Sequence, residues 1–281
     1  MSRINRRFAV TKVTRGTGPN EGRFFTDTRA DTVTAEEPLE IRAGGKTLTT
    51  TMRTPGHDIE LAHGWLYTEG LITRAEGVTT ARYCAGATGA SGENTYNLLD
   101  IDLATATNPV APELIRLTPT TGACGVSGRQ SVNEFMHKLQ QPIEPVQLDP
   151  ELVMELPDLL AAQQQRSKKM GGIHAAGAFD LDGNAVAVRE DIGRHNAADK
   201  VIGHLLLSGA LPARDTILVM NSRVSFELVQ KAAMAGFPAL VTASATSSSA
   251  VELAQEAGMA LAGFACRDRF NLYSGKLAGP A

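Results

Sequence analysis

The spacing of hydrophobic positions changes along the chain and predicts two kinds of architecture. In the first part, residues 10–13 and Leu39-Glu40-Ile41-Arg42 alternate like half-buried strands, and Gly44-Gly45 reads as the turn between two such runs. Thr54-Pro55-Gly56 then predicts a helix start: a hydroxyl cap, a proline in the first turn, and Asp58 and Glu60 near the positive end. Ile59, Ala62, Trp65 and Leu66 give this helix one apolar face, and Gly70 is placed to stop it. His57 and His63 read as capping or surface residues ahead of metal ligands. Residues 84–93 form a small-residue loop and residues 96–103 return to a strand. A Thr, Asn and Pro-rich linker follows at 104–112, which places a domain boundary near residue 115.

Beyond the linker the periods lengthen. Ser131-Val132-Asn133-Glu134 is a capping box before a short helix with Val132, Phe135, Met136 and Leu139 inside. Asp149-Pro150 starts another helix, which Pro157 is expected to break or restart. Residues 173–179 and 185–188, joined by Asp180-Leu181-Asp182-Gly183, read as a β-hairpin. A helix over 196–208 then buries Val201, Ile202, Leu205 and Leu206. Three apolar runs follow, at 216–220, 239–242 and 259–264. Helical patterns at 225–235 and 248–257 lie between them, closed by Gly236 and Gly258. This β-α-β-α-β order implies parallel strands with right-handed crossovers, so the fold class is α/β, or α+β over the whole chain. Parallel sheets bind ligands beyond the carboxyl ends of their strands. Those ends carry Asn221-Ser222-Arg223, the hydroxyl-rich residues 244–249, and Cys266-Arg267-Asp268-Arg269, a set suited to a phosphate-bearing ligand.

Composition narrows the function classes. A net charge of -3 provides no broad basic field and argues against sequence-independent nucleic-acid binding. Three arginines near the N-terminus have no apolar stretch behind them, so a secretory signal is not expected, nor is a membrane span. Three dispersed cysteines, Cys84, Cys124 and Cys266, fit a reducing cytoplasm better than a disulfide framework.

Three segments carry candidate chemistry. Cys124 stands among Gly122, Gly125 and Gly128, close to Arg129, where backbone amides and a guanidinium would favour the thiolate. On its own this setting fits an inert thiol about as well as a reactive one. His174, in Gly171-Gly172-Ile173-His174-Ala175-Ala176, resembles the metal histidine of zinc deaminases. Ala176 replaces their glutamate and no Pro-Cys-x-x-Cys follows, so a hydrogen-bonded core histidine is expected instead. The run from Glu190 to Lys200 packs six ionisable groups into eleven positions, as a solvated helix start or the polar wall of a site.

Seven segments in register resemble the formate dehydrogenase accessory (FdhD/NarQ) family. They are Glu37-Pro38-Leu39 with Arg42, Met52-Arg53-Thr54-Pro55-Gly56-His57-Asp58 running into Thr68-Glu69-Gly70, and Thr121-Gly122-Ala123-Cys124-Gly125-Val126. Gly171-Gly172-Ile173-His174-Ala175, Glu190-Asp191-Ile192-Gly193-Arg194-His195-Asn196, Ser225-Phe226-Glu227 with Gln230-Lys231, and Phe270-Asn271-Leu272-Tyr273 complete the set. The resemblance implies a small β-rich N-terminal domain (1–115) and a cytidine-deaminase-like α/β/α domain (116–281) without catalytic zinc. It also implies a cytoplasmic sulfurtransferase, often a homodimer. Such a protein takes a persulfide sulfur from a cysteine desulfurase and delivers it to the bis-molybdopterin guanine dinucleotide cofactor for formate dehydrogenase. By position the persulfide cysteine is Cys124, and the cofactor-binding segment is Phe264, Ala265, Cys266, Arg267, Asp268 and Arg269.

Two positions depart from the family pattern. Ser127 replaces the second cysteine of a Cys-Gly-Val-Cys loop; a serine cannot relay a persulfide, so the expectation is a single-cysteine carrier. Cys266 stands in a segment that more often has arginine nearby. The competing reading from another class is a chaperone that escorts the pterin without transferring sulfur; a zinc-dependent nucleobase deaminase stands third.

Overall fold

The structure, a computed structural model, describes residues 5–84, 95–104, 135–136, 139, 141–164 and 172–279. The loop at 85–94, the linker and boundary between 105 and 116, the Cys124 loop with Ser127 and Arg129, and the capping box at 131–134 lie outside the described residues.

Strands β1 (Asn5–Arg15) and β2 (Phe24–Thr34) pair with each other along their full length and with no other strand among the described residues. Next come β3 (Glu37–Ala43), β4 (Lys46–Arg53), helix α1 (Asp58–Thr68), β5 (Val78–Tyr83) and β6 (Leu98–Leu103). The strands form a sheet of order β4-β3-β6-β5. Gly44 (φ +57°) and Gly45 (φ +75°) make the two-residue turn between β3 and β4, both in the left-handed region that this turn type requires. Leu39, Ile41, Leu48, Leu99 and Ile101 from the sheet pack on Leu61, Ala62 and Leu66 of α1.

The start of α1 differs from the sequence expectation. The residue before the helix is His57 in a left-handed conformation, and Thr54 does not cap it. Pro55 and Gly56 turn the chain first, and the Thr54 hydroxyl instead accepts a hydrogen bond from the Ile192 amide at 3.1 Å. Ile59, placed on the apolar face by the sequence, is 39% exposed. The buried face is set by Leu61, Ala62 and Leu66, and also takes in His63 and Gly64, because α1 is covered on two sides. His63 is neither a cap nor at the surface: it is buried, and its Nδ1 lies 2.7 Å from the Ile59 carbonyl oxygen. Gly70 (φ +76°) ends the helix as expected.

The rest of the chain gives β7 (Gln147–Leu148), α2 (Pro150–Gln163), β8 (His174–Asp180), β9 (Ala185–Asp191), α3 (Arg194–Leu207) and β10 (Thr216–Met220). Then follow α4 (Phe226–Met234), β11 (Ala239–Thr242), α5 (Ser248–Glu256), β12 (Ala260–Cys266), β13 (Arg269–Ser274) and β14 (Lys276–Leu277). Six strands form one sheet in the order β13-β12-β11-β10-β8-β9, with β10, β11 and β12 parallel. Period-two alternation divides the core between its faces. Ile217 and Val219 join Val153, Leu156 and Leu160 of α2, while Leu218 and Met220 join Val201 of α3, Leu228 of α4 and Leu253 of α5.

Asp149 caps α2 by accepting from the Glu151 amide at 2.9 Å, as the sequence suggests. Pro157 does not break this helix. It removes one intrahelical hydrogen bond, and burial of Val153, Leu156 and Leu160 against the sheet outweighs that loss. No helix among the described residues is long and apolar enough to cross a membrane.

Helices α1 and α3 meet backbone to backbone. A methyl group added at Gly64 would lie 1.9 Å from the Asp199 carbonyl oxygen, and one at Gly203 would lie 1.8 Å from the Glu60 carbonyl oxygen. Only glycine permits this crossing. Gly64→Ala is therefore expected to lower the unfolding free energy by about 1–3 kcal/mol, the cost of forcing packed helices apart. Urea titration of the variant beside the native chain checks this, and an unchanged midpoint would contradict the close contact.

Candidate functional site

The carboxyl ends of β10, β11 and β12 lie at one edge of the six-stranded sheet. Because β8 and β9 pair antiparallel, His174 at the start of β8 sits opposite Asp191 at the end of β9, at the same edge. The loops there are stitched together. Asn221 Oδ1 accepts from the Ala175 amide at 2.9 Å, and its own amide donates to the Ala175 carbonyl at 3.2 Å. Thr242 Oγ1 donates to the Ser222 carbonyl at 2.6 Å, while the Val224 and Ser247 amides exchange bonds with the Ala245 and Val224 carbonyls at 3.0 Å. The Phe264 amide donates to the Ser244 carbonyl at 2.9 Å. The three strand-end loops picked out from the sequence are thus in contact.

The segment Phe264 to Arg269 divides at this edge. Phe264 is 45% exposed and sits at φ +53°, a conformation rarely stable for a bulky side chain, next to a register shift in β12. Ala265 is buried in the core facing α2. The Cys266 thiol donates to Asp268 Oδ1 at 3.0 Å, Arg267 pairs with Asp158 of α2, and Arg269 is exposed. Arg267 is therefore drawn toward the helix covering one face, away from the loops around Arg223.

The Glu190 to Lys200 run proves to be two things at once. Asp191 is fully buried and both its oxygens are occupied. Oδ2 accepts from Lys200 Nζ at 2.6 Å and the Thr54 amide at 3.1 Å; Oδ1 accepts from the Gly193 amide at 2.8 Å and Asn196 Nδ2 at 3.2 Å. Lys200 Nζ also donates to the Thr54 carbonyl at 2.8 Å, and Asn196 Nδ2 to the Met52 carbonyl at 2.8 Å. One turn further, Asp199 accepts from Lys231 Nζ at 2.8 and 2.9 Å, and burial pushes its carboxyl up to about 6 against the pull of that lysine. Asp191, Asn196, Asp199 and Lys200 thus anchor the start of α3 and are not a solvated helix face.

Between them stand Arg194 and His195, and these belong to the edge. Arg194 Nε is buried without an acceptor among the described residues. Neither Arg194 nor Arg223 has a carboxylate within ion-pair distance there. His174 is held below its ordinary value by burial first and then by the charge of Arg194; Arg223 adds to this, while Asn221 and Asp191 oppose it. His195 is held well below its ordinary value by burial, then by Lys231, Arg194 and His174. Its Nε2 lies 3.1 Å from Glu227 Oε2 and 3.4 Å from Ser225 Oγ, so a neutral ring donates there. Glu227 is 39% exposed and water screens its influence on the imidazole.

The starts of α3 and α4 lie here as well, and neither Gly193 nor Ser225 supplies a side-chain cap. Two arginines without carboxylates, one with a buried orphan donor, and two uncapped helix starts make an edge fitted to bind an anion. The sequence flagged Arg223 as a strand-end residue. It flagged Arg194 only as one charge among six, since nothing in a linear run separates a buried anchor from an unpaired group.

Comparison with known proteins agrees with this architecture. The FdhD/NarQ family profile matches residues 34–278. A protein of Corynebacterium efficiens named sulfur carrier protein FdhD is 53% identical over 280 residues, spanning 99% of this chain and 100% of that relative. One of the same name from Nocardia farcinica is 51% identical over 249 residues, 88% of each chain. A crystal structure from Desulfotalea psychrophila, described as a candidate formate dehydrogenase accessory protein, superposes with a TM-score of 0.69. It covers 95% of this chain and 97% of its own at 19% identity, a likeness of fold.

The depressed histidine gives a pH dependence with a definite sign. Unfolded, His195 takes up its proton near pH 6.5, whereas the folded chain keeps it neutral to lower pH. Its contribution to stability is complete above about pH 6.5 and is lost as pH falls, by up to roughly 1.4 kcal/mol per unit. His195→Gln should therefore lose less unfolding free energy than the native chain between pH 7 and pH 5. Urea titrations across that range measure the difference, and parallel slopes would show that His195 is not held neutral.

Proposed function

The chain belongs to the FdhD/NarQ family, and from that premise we propose that it is a cytoplasmic sulfur carrier in the maturation of formate dehydrogenase. In this reading Cys124 accepts a persulfide sulfur from a cysteine desulfurase, and the sulfur passes to a bis-molybdopterin guanine dinucleotide cofactor bound as substrate. Relatives of half-identical sequence bear the name of a sulfur carrier, which supports the class. The observation that supports the reading for this molecule is the orphaned Nε of Arg194, with both Arg194 and Arg223 close enough to His174 to lower its pKa.

The chemistry of the edge suits the cargo. A guanine dinucleotide brings a diphosphate, and two guanidinium groups with nearby helix starts would bind it through charge-assisted hydrogen bonds. His174 and His195, kept neutral by burial and the flanking charges, add no positive repulsion against the arginines and remain able to donate and accept. Phe264, exposed at the rim, offers an aromatic face to a purine. Loading needs only the Cys124 thiolate. It attacks the terminal sulfur of the donor persulfide, a new S–S bond forms on Cys124, and the donor cysteine leaves as a thiolate. Ser127 cannot take part in a relay, so one thiol serves for acceptance and delivery.

Two measurements test this reading. Intact mass after incubation with a cysteine desulfurase and cysteine should show an adduct of about 32 Da on Cys124, one sulfur atom, and Cys124→Ala should abolish both the adduct and activation of formate dehydrogenase. Full activation by Cys124→Ala would reject the persulfide role. By calorimetry, Arg194→Ala and Arg223→Ala should each weaken GDP binding about tenfold or more while sulfur loading continues. Equal affinity in the variants would move the cofactor site away from this edge.

A further inference from the structure

The backbone around His174 is clamped, and the clamp decides where its ring points. Asn221 Oδ1 accepts from the Ala175 amide, and Asn221 Nδ2 donates to the Ile173 carbonyl at 3.4 Å, so one side chain grips both neighbours. Period-two alternation then orients the ring. Ala175 packs in the core facing α2, whereas Ala176 and Ala178 pack in the core facing α3, α4 and α5. His174 shares the face of Ala176. Its ring, only partly buried, therefore lies on the side where α3 begins with Arg194.

The charges that face this ring come from several parts of the fold. Burial is the largest influence against a proton on it, and Arg194 of α3 and Arg223 of the loop after β10 add to this; Asn221 and Asp191 favour the proton. Asp191 is already matched by Lys200, and the ring is held below its ordinary value, neutral at pH 7. The two arginines that oppose the proton are the same two that an anion would engage. A diphosphate bound to both would offset their field at His174 and bring phosphate oxygens to the ring. An opposite charge within about 4–6 Å favours the charged form. An imidazolium donates from both nitrogens, and its bonds to phosphate are charge-assisted.

His195 does not share this freedom. Its Nε2 is engaged by Glu227 Oε2 and Ser225 Oγ. The charge of Lys231, paired with buried Asp199, opposes a proton there whether or not an anion is bound.

We propose, on the reading of this edge as the cofactor site, that His174 is a third cationic ligand of the anion: when a diphosphate binds Arg194 and Arg223, the chain takes up a proton onto this ring. Binding and protonation are then linked, and the bound ring has the higher proton affinity of the two states. The cargo is held more tightly as pH falls and released more readily as pH rises.

Calorimetry with GDP-mannose tests this, because its diphosphate is esterified at both ends and does not itself titrate near neutrality. Titrations of the full chain at pH 7 in Tris and in PIPES, buffers of different ionisation enthalpy, should differ in heat, with up to one proton taken up per ligand bound. Affinity should rise about fivefold or more from pH 8 to pH 6.5, within the ceiling of about tenfold per pH unit for one linked proton. His174→Gln keeps a donor and an acceptor but cannot be charged. It should bind with the same heat in both buffers and lose the pH dependence. Equal heats for the native chain, or proton uptake that persists in His174→Gln, would overturn the role of His174 while leaving the edge as the cofactor site. No binding at millimolar GDP-mannose would instead overturn the cofactor site itself, and this role with it.

Discussion

The buried pair of Asp191 and Lys200 is the interaction on which the arrangement of the molecule depends. Two opposite charges, neither exposed to water, sit 2.6 Å apart where β9 ends and α3 begins. Burying such charges costs several kcal/mol each unless every lone pair and proton finds a partner. Here the partners come from distant parts of the chain: the Thr54 amide and carbonyl, the Gly193 amide and Asn196, which in turn reaches the Met52 carbonyl. The pair is satisfied only when the end of β4, the turn before α1 and the first two turns of α3 are all in place. That requirement fixes the orientation of α3, and with it the position of Arg194 and His195.

A second layer of the same logic lies one turn along. Asp199, Lys231 and Thr68 join α3, α4 and α1 through buried hydrogen bonds, beside the glycine crossing of α1 on α3. Close backbone approach leaves no room for side chains that could shift, so polar groups at the crossing must be matched in geometry rather than merely near each other. Rigidity here holds the edge that carries Arg194 in place. An orphaned guanidinium nitrogen is tolerated when its surroundings are held by stronger interactions elsewhere, and Arg194 is flanked by Asp191, Asn196 and Lys200.

The sequence by itself determined the local elements and the class of the fold. Apolar runs at 216–220, 239–242 and 259–264, with glycines closing the helices between them, are enough to specify parallel strands, because period and punctuation act over a few residues. They also locate the strand-end loops, since topology alone brings those ends to one side. The tertiary structure decided what each polar residue does. Thr54 reads as a helix cap in a linear pattern, yet its hydroxyl answers an amide 138 residues away. Ile59 reads as apolar face and is exposed, because α1 packs on two sides and its burial is set by both neighbours. Within Glu190 to Lys200, four side chains became buried anchors and Arg194 an unpaired donor. Nothing in their spacing separates them. Whether a charge is paired depends on groups distant in sequence, and only folding brings those groups within a hydrogen bond's length.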